Sequence, residues 1–316
     1  MKNARDLAMH ILYDIEYNGA YSNMALKNAF SKNQDLSTVD KGFITRIVYG
    51  VVSRKITLEY IISSFSKIKL KKISKYILII LKMGIYQLKY MDKVPESAAV
   101  NESVKLAKRY GHGASAGFVN GLLRSVIKNE IKYPDDEILK LSVMYSYPQK
   151  LCQKWCDDFG IEFTKELLDE MNKDSKITLR VNQTKTTCDE LLKDNNNFEI
   201  SPLYDKAVIC DGFDVGNSEI YKSGKVIAQD ISAMMASLVL APQKGEKVLD
   251  ICAAPGGKTT HLAELMQNCG EVVACDIHKH KIDLIKQNAN RMGLGIIKPL
   301  LMDATRFNED FVDMFD

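Results

Sequence analysis

The chain has 316 residues, more than the roughly 100–200 of one typical domain, so two or three packed units are expected. With 46% hydrophobic and 26% charged residues, 7 Pro and 18 Gly, the composition excludes disordered, collagen-like and small disulfide-stapled classes. The net charge of +3 hides a polarity: residues 1–150 hold 24 Lys and Arg against 13 Asp and Glu, whereas residues 151–316 hold 19 against 27.

A basic first half suits a polyanionic partner, because neutralised phosphates release counterions. The first residues, Lys2, Arg5 and Asp6 among them, show no apolar core or small-residue cleavage site, so no signal peptide and a cytoplasmic chain are expected. The longest aliphatic run, Tyr76 to Leu81, is six residues, against about 20 for a membrane span.

In chain order, residues 1–145 read as amphipathic helices forming an all-α bundle. Apolar stripes recur at Leu7, Ala8, Ile11, Leu12 and Ile15, at Ile44, Ile47, Val48, Val51 and Val52, and at Ile77, Ile80, Leu81, Gly84, Ile85 and Leu88. Breaks are predicted at Asn18-Gly19, Ser31 to Ser37, Lys67 to Lys71, Pro95, Gly111 to Gly113 and Pro134. The cluster Lys67, Lys69, Lys71, Lys72 and Lys75, near Arg54 and Lys55, is the candidate nucleic-acid contact; the alternative is a solvated face.

Residues 146–222 read as a small α+β connector. A helical stretch from Pro148 to Asn172 precedes a half-buried strand at Ile177 to Val181, a short helix at Thr187 to Lys193, and strands at Phe198 to Ile200 and Ala207 to Cys210. Arg180 and Asn182 on the first of these strands could contact RNA or make internal polar bonds.

Residues 223–316 take up a βα rhythm: strand Lys225 to Ala228, helix Ile231 to Leu240, strand Lys247 to Ile251, helix Thr259 to Gln267, strand Glu271 to Cys275, helix Lys279 to Met292 and strand Ile296 to Met302. Such alternation predicts a parallel sheet with ligands at the carboxyl ends of its strands. The fold class is therefore multidomain α and α/β: an all-α bundle, a small α+β connector and a partial Rossmann-like domain.

Seven cysteines without a CxxC pair, at 152, 156, 188, 210, 252, 269 and 275, argue for reduced thiols rather than disulfides or bound metal. Cys152 and Cys156 share a helix face and read as core. His278 and His280, at a helix start, read as solvent-facing rather than as a metal pair.

The informative string is Val248-Leu249-Asp250-Ile251-Cys252-Ala253-Ala254-Pro255-Gly256-Gly257-Lys258-Thr259-Thr260, a strand, a small-residue loop and a helix start. Small residues let a ligand approach the backbone, and the helix N-terminus can face an anionic group. A phosphate-binding P-loop would need Gly where Cys252 stands, and a dinucleotide GxGxxG would need glycines where Ala253, Ala254 and Pro255 stand. Asp276 closes the next strand at the position where a carboxylate accepts ribose hydroxyls, and Asp303 closes the third, where an adenine edge can be read. The plainer reading of each Asp is a cap for the following turn.

Cys252 to Lys258 is similar to the S-adenosylmethionine signature of RNA cytosine-C5 methyltransferases, and Gln229-Asp230-Ile231-Ser232-Ala233-Met234 resembles the segment preceding it in that family. Asn101 to Lys108 and Phe118 to Arg124 resemble a NusB-type RNA-binding domain. This order of parts, with Leu179-Arg180-Val181-Asn182 between them, resembles the RsmB (Sun/Fmu) family across essentially the whole chain.

The resemblance implies methylation of a 16S rRNA cytosine at C5, with 16S rRNA as partner and S-adenosylmethionine as cofactor; no membrane or metal partner and a monomeric chain are expected. It assigns Cys252, Ala253, Ala254, Pro255, Gly256, Gly257, Lys258, Asp276 and Asp303 to the cofactor. Family members use a cysteine nucleophile from an Asp-Ala-Pro-Cys motif after a fourth strand; that position is expected beyond Asp316, so no catalytic residue is assigned and the chain reads as truncated and inactive. A non-catalytic NusB-like RNA-binding or antitermination protein is the alternative.

Overall fold

The computed structural model describes residues 4–173 and 176–316, so Lys2 lies outside the described residues. Two units are present, residues 1–173 and 174–316.

The first unit is helical: α1 (Ala4–Asn18), α2 (Ser22–Lys32), α3 (Thr38–Ser53), α4 (Lys55–Phe65), α5 (Lys75–Tyr90), α6 (Glu96–Tyr110), α7 (Ser115–Lys128), α8 (Glu137–Tyr145), α9 (Gln149–Phe159) and α10 (Ile161–Met171). Every predicted break falls at the end of an α-helix or between two. Local chemistry sets several ends: Ser37 caps α3 by accepting from the Asp40 N–H, and Asp136 caps α8 by accepting from Leu139. The stripes of α1, α3 and α5 meet in one core. Helix α5 is buried nearly all round, and even Lys82 is enclosed, paired with Glu16 at 2.9 Å and Glu59 at 2.7 Å. Helices α8 to α10 form a satellite cluster around Leu141, Cys152 and Leu168, with Cys156 packed against it.

The second unit contains two sheets. The first is antiparallel, built from β1 (Ile177–Val181), α11 (Cys188–Asp194), β2 (Phe198–Ser201), β3 (Tyr204–Cys210), α12 (Glu219–Lys222) and β4 (Val226–Ala228), in the strand order β2-β3-β1-β4. This β-α-β-β-α-β arrangement is ferredoxin-like. A capping box between Thr187 and Glu190 starts α11. Strand β4, read from sequence as the start of the βα rhythm, instead pairs antiparallel with β1 and completes this sheet.

The second sheet is parallel, in the order β5-β6-β7, from β5 (Lys247–Asp250), β6 (Glu271–Asp276) and β7 (Ile297–Leu301). Helices α13 (Ile231–Leu240), α14 (Gly257–Leu265) and α15 (Lys279–Met292) accompany it. Pro299 is tolerated in β7 because that strand pairs on one side only. The tail folds back to the other outer strand: the Asp316 N–H donates to the Lys247 carbonyl at 3.0 Å. Leu249, Ile251, Phe311 and Val312 help to line a cleft of about 420 Å³ there. The tail is therefore held at β5.

Candidate functional site

The loop after β5 is fixed by its own backbone and by both neighbouring elements. Asp250 accepts from the Thr259 hydroxyl at 2.7 Å and from the Cys252 N–H at 3.3 Å. The Ala253 N–H donates to the Cys275 carbonyl at 2.9 Å, the Gly256 N–H donates to Ala253 at 2.7 Å, and the Asn288 amide of α15 donates to the Pro255 carbonyl at 2.9 Å. Gly256 stands at φ +102°, a conformation that side chains rarely adopt, and turns the chain into α14. The first N–H groups of that helix have no intrahelical acceptor, and they carry the positive end of its dipole. Cys252, Pro255 and Lys258 are exposed, Ala254 and Gly257 half-buried, and Ala253 and Gly256 buried.

The hydrogen bond from Ala253 to Cys275 sets this loop beside the end of β6. There Asp276 is 7% exposed; its Oδ1 accepts from the His278 N–H at 3.1 Å and lies 3.9 Å from the Lys281 ammonium. Its Oδ2 has no protein partner among the described residues. Asp303 differs. Oδ1 accepts from the Thr305 N–H at 3.0 Å and its hydroxyl at 2.7 Å, and Oδ2 faces Arg306 at 3.5 Å. These Thr305 bonds hold its carboxyl below the usual aspartate range. The end of β7 thus offers a carboxylate already engaged in its own turn.

Arg180 and Asn182 do not face solvent. Both are fully buried, which corrects the suggestion that they contact RNA. The Arg180 guanidinium donates to the Gly257 carbonyl at 2.7 Å, to the Thr260 hydroxyl at 2.9 Å, to Glu264 at 2.8 and 3.2 Å, and to the Gln229 side-chain oxygen. The Asn182 amide donates to the Gly224 and Met292 carbonyls, each at 3.0 Å. Burial pushes the Glu264 carboxyl up, while Arg180 pulls it back. His261, on the same helix, is 1% exposed and bonded through Nε2 to the Tyr204 hydroxyl at 3.2 Å. Burial, then the Arg180 cation, lowers its pKa to about 3. No local signal joins Arg180 to Glu264, 84 positions away.

In the helical unit, Lys67, Lys69, Lys71, Lys72 and Lys75 are all exposed. Lys75 lies 4.6 Å from the centre of the Tyr17 ring, beside stacked Tyr13 and Tyr76. His278 and His280 are exposed and stack on each other, and no group of three or more metal-ligating side chains gathers among the described residues. No helix among those residues is long and apolar enough to cross a membrane.

Residues 2–128 match the NusB family, residues 147–209 the ferredoxin-like domain of RsmF/B-like methyltransferases, and residues 237–316 the 16S rRNA methyltransferase RsmB/F family. A probable ribosomal RNA small subunit methyltransferase B of Bacillus subtilis is 38% identical over 316 residues, covering 98% of this chain and 70% of the relative. The chain belongs to the RsmB/F family. Its counterpart in Synechocystis is 34% identical, with 97% and 70% covered. The crystal structure of PH0851 superposes on this RsmB/F member with a TM-score of 0.72 at 25% identity, covering 94% of this chain and 68% of that one.

Proposed function

We propose that this RsmB/F protein binds S-adenosylmethionine at the loop 252–258 and Asp276, and that the enzyme methylates C5 of a cytosine in 16S rRNA through a cysteine adduct. The observation that carries the cofactor reading is the pairing of a small-residue loop, ending in the open N-terminus of α14, with a carboxylate that keeps one oxygen free at the adjoining strand end. The donor set suits the group. Asp276 would accept the ribose hydroxyls, and the first N–H groups of α14 would face the methionyl carboxylate. Cys252 to Lys258 would form the cradle. Asp303, with its carboxylate occupied, would leave mainly the backbone after β7 to meet the adenine edge. When bound, the cofactor supplies an electrophilic methyl group.

The parts divide the work in this reading. Residues 1–145 bind RNA; a connector runs from residue 146 and, with β4 in its sheet, reaches Ala228 rather than 222; the remainder holds the cofactor. The 316-residue chain itself is proposed to lack a competent nucleophile, since none of its seven cysteines combines exposure with a place outside the cofactor loop at the ligand end of the parallel sheet.

Asp276→Ala should raise the dissociation constant for S-adenosylmethionine at least tenfold, because a hydrogen bond to a charged group is worth about 1.5–3 kcal/mol. Titration calorimetry on both proteins measures this, and equal affinities would remove Asp276 from the site. Replacing Lys69, Lys71 and Lys72 by Glu should weaken RNA binding and lower the slope of log affinity against log salt by roughly 2, at about 0.7–0.9 per phosphate contact. An unchanged slope would make this cluster a solvated face.

A further inference from the structure

We propose that Arg180 is a positioning residue for the cofactor loop, so that the ferredoxin-like sheet is part of the cofactor site and not a spacer before it. The inference rests on reading residues 252–258 as that loop. Arg180 stands on β1, in the antiparallel sheet, yet all the hydrogen bonds of its guanidinium run to Gln229 or to α14.

A buried cation beside the positive end of a helix is electrostatically disfavoured, and an apolar side chain would fill the same space without that cost. The arrangement is explained by what the guanidinium holds. Gly256 and Gly257 have no side chains to fix their peptide planes. Arg180 takes the Gly257 carbonyl directly, at 2.7 Å. It also holds the Thr260 hydroxyl, which donates to the Gly256 carbonyl at 2.7 Å. In a planar trans peptide the N–H points opposite to the C=O, so fixing these two oxygens aims the Gly257 and Lys258 N–H groups out of the helix mouth.

Glu264, bidentate on the same guanidinium, balances its charge and fixes the plane of the fork. Arg180 also holds the Gln229 side-chain oxygen, and the Gln229 amide lies against Gly257, where a Cβ would come within 3.7 Å of its Cδ. The Gln229 Nε2 is buried with no partner among the described residues, a donor left unspent beside the loop.

The test uses the whole chain in three forms: wild type, Arg180→Lys and the double variant Arg180→Met with Glu264→Leu. The double variant removes both buried charges together, and the lysine keeps the charge without the fork. Two quantities are read: amide hydrogen exchange of residues 253–260 without ligand, with β6 as internal reference, and S-adenosylmethionine affinity by calorimetry. Both variants should keep wild-type exchange in β6, exchange the loop at least tenfold faster and bind the cofactor at least tenfold more weakly.

Wild-type loop exchange in a folded double variant would overturn the proposal, leaving Arg180 as a balanced core charge. Faster loop exchange with unchanged affinity would overturn it equally. If the double variant does not fold, Arg180→Lys gives the same reading. If the wild type itself binds no S-adenosylmethionine while the variants loosen the loop, the positioning role stands and the cofactor reading falls.

Discussion

Acidification should destabilise the second unit through His261, and replacing that residue with Gln should remove much of the effect. The imidazole is sealed between Tyr204 and the backbone near Met234, with Arg180 adding a like charge, and its pKa falls from 6.5 to about 3. Between those values the unfolded chain binds a proton that the folded chain refuses, so stability is complete above pH 6.5 and falls as pH drops toward 3. At about 1.4 kcal/mol per pH unit, the loss is about 2 kcal/mol by pH 5 and about 4 kcal/mol by pH 3, where the folded chain begins to take up the proton as well.

Glu264 works in the opposite sense. Its carboxyl is raised by burial, so the folded state takes up that proton first. Because Glu264 is common to both proteins, the difference between wild type and His261→Gln isolates the histidine. Exchange of the β6 amides in urea at pH 7, 6 and 5 reads this unit separately, since the single Trp, Trp155, reports on the other. Parallel stability profiles in the two proteins would show that His261 titrates as freely as in the unfolded chain.

The helix boundaries of the first unit were legible because Pro, Gly and capping residues punctuate them locally, as at Ser37 and Asp136. The enclosure of Lys82 was not, since α5 is buried from Ile79 to Gln87 with several helices packed around it, and a stripe argument sees one face at a time. Strand β4 shows the same limit in another form. Three residues look alike whether they pair in a parallel or an antiparallel sheet, and only the partner β1 decides.

The strand-loop-helix form of residues 248–260 was legible because its signal is contiguous, with Gly256 at φ +102° taking a turn that side chains rarely adopt. Arg180 was left open between RNA contact and internal polar bonds. Alternation along Leu179-Arg180-Val181 sets the arginine on the opposite face from its neighbours but does not say what meets that face, and α14 covers it. What a second layer covers is non-local, and its signature, a lone Glu on a distant helix, carries meaning only once the two are in contact.

The 316-residue chain, given tritium-labelled S-adenosylmethionine and unmodified small-subunit rRNA, should bind both and transfer no methyl to cytosine C5. That carbon is too weak a nucleophile to attack a methyl sulfonium until a thiolate adds at C6. Cys152, Cys188, Cys210 and Cys275 are buried, and burial pushes each thiol above its ordinary pKa, away from the reactive anion. Cys156 is half-buried in the satellite helical cluster, and Cys269 lies before the amino end of β6, opposite the ligand end of the sheet. Only Cys252 is exposed at the right end, and there it belongs to the loop assigned to the cofactor, with its N–H turned back to Asp250. Label in C5 at one equivalent or more would refute this, and loss of that label in Cys252→Ser would identify the thiol responsible. If the label survived, the nucleophile would have to be one of the other six cysteines, brought to the ligand end of the sheet by a rearrangement.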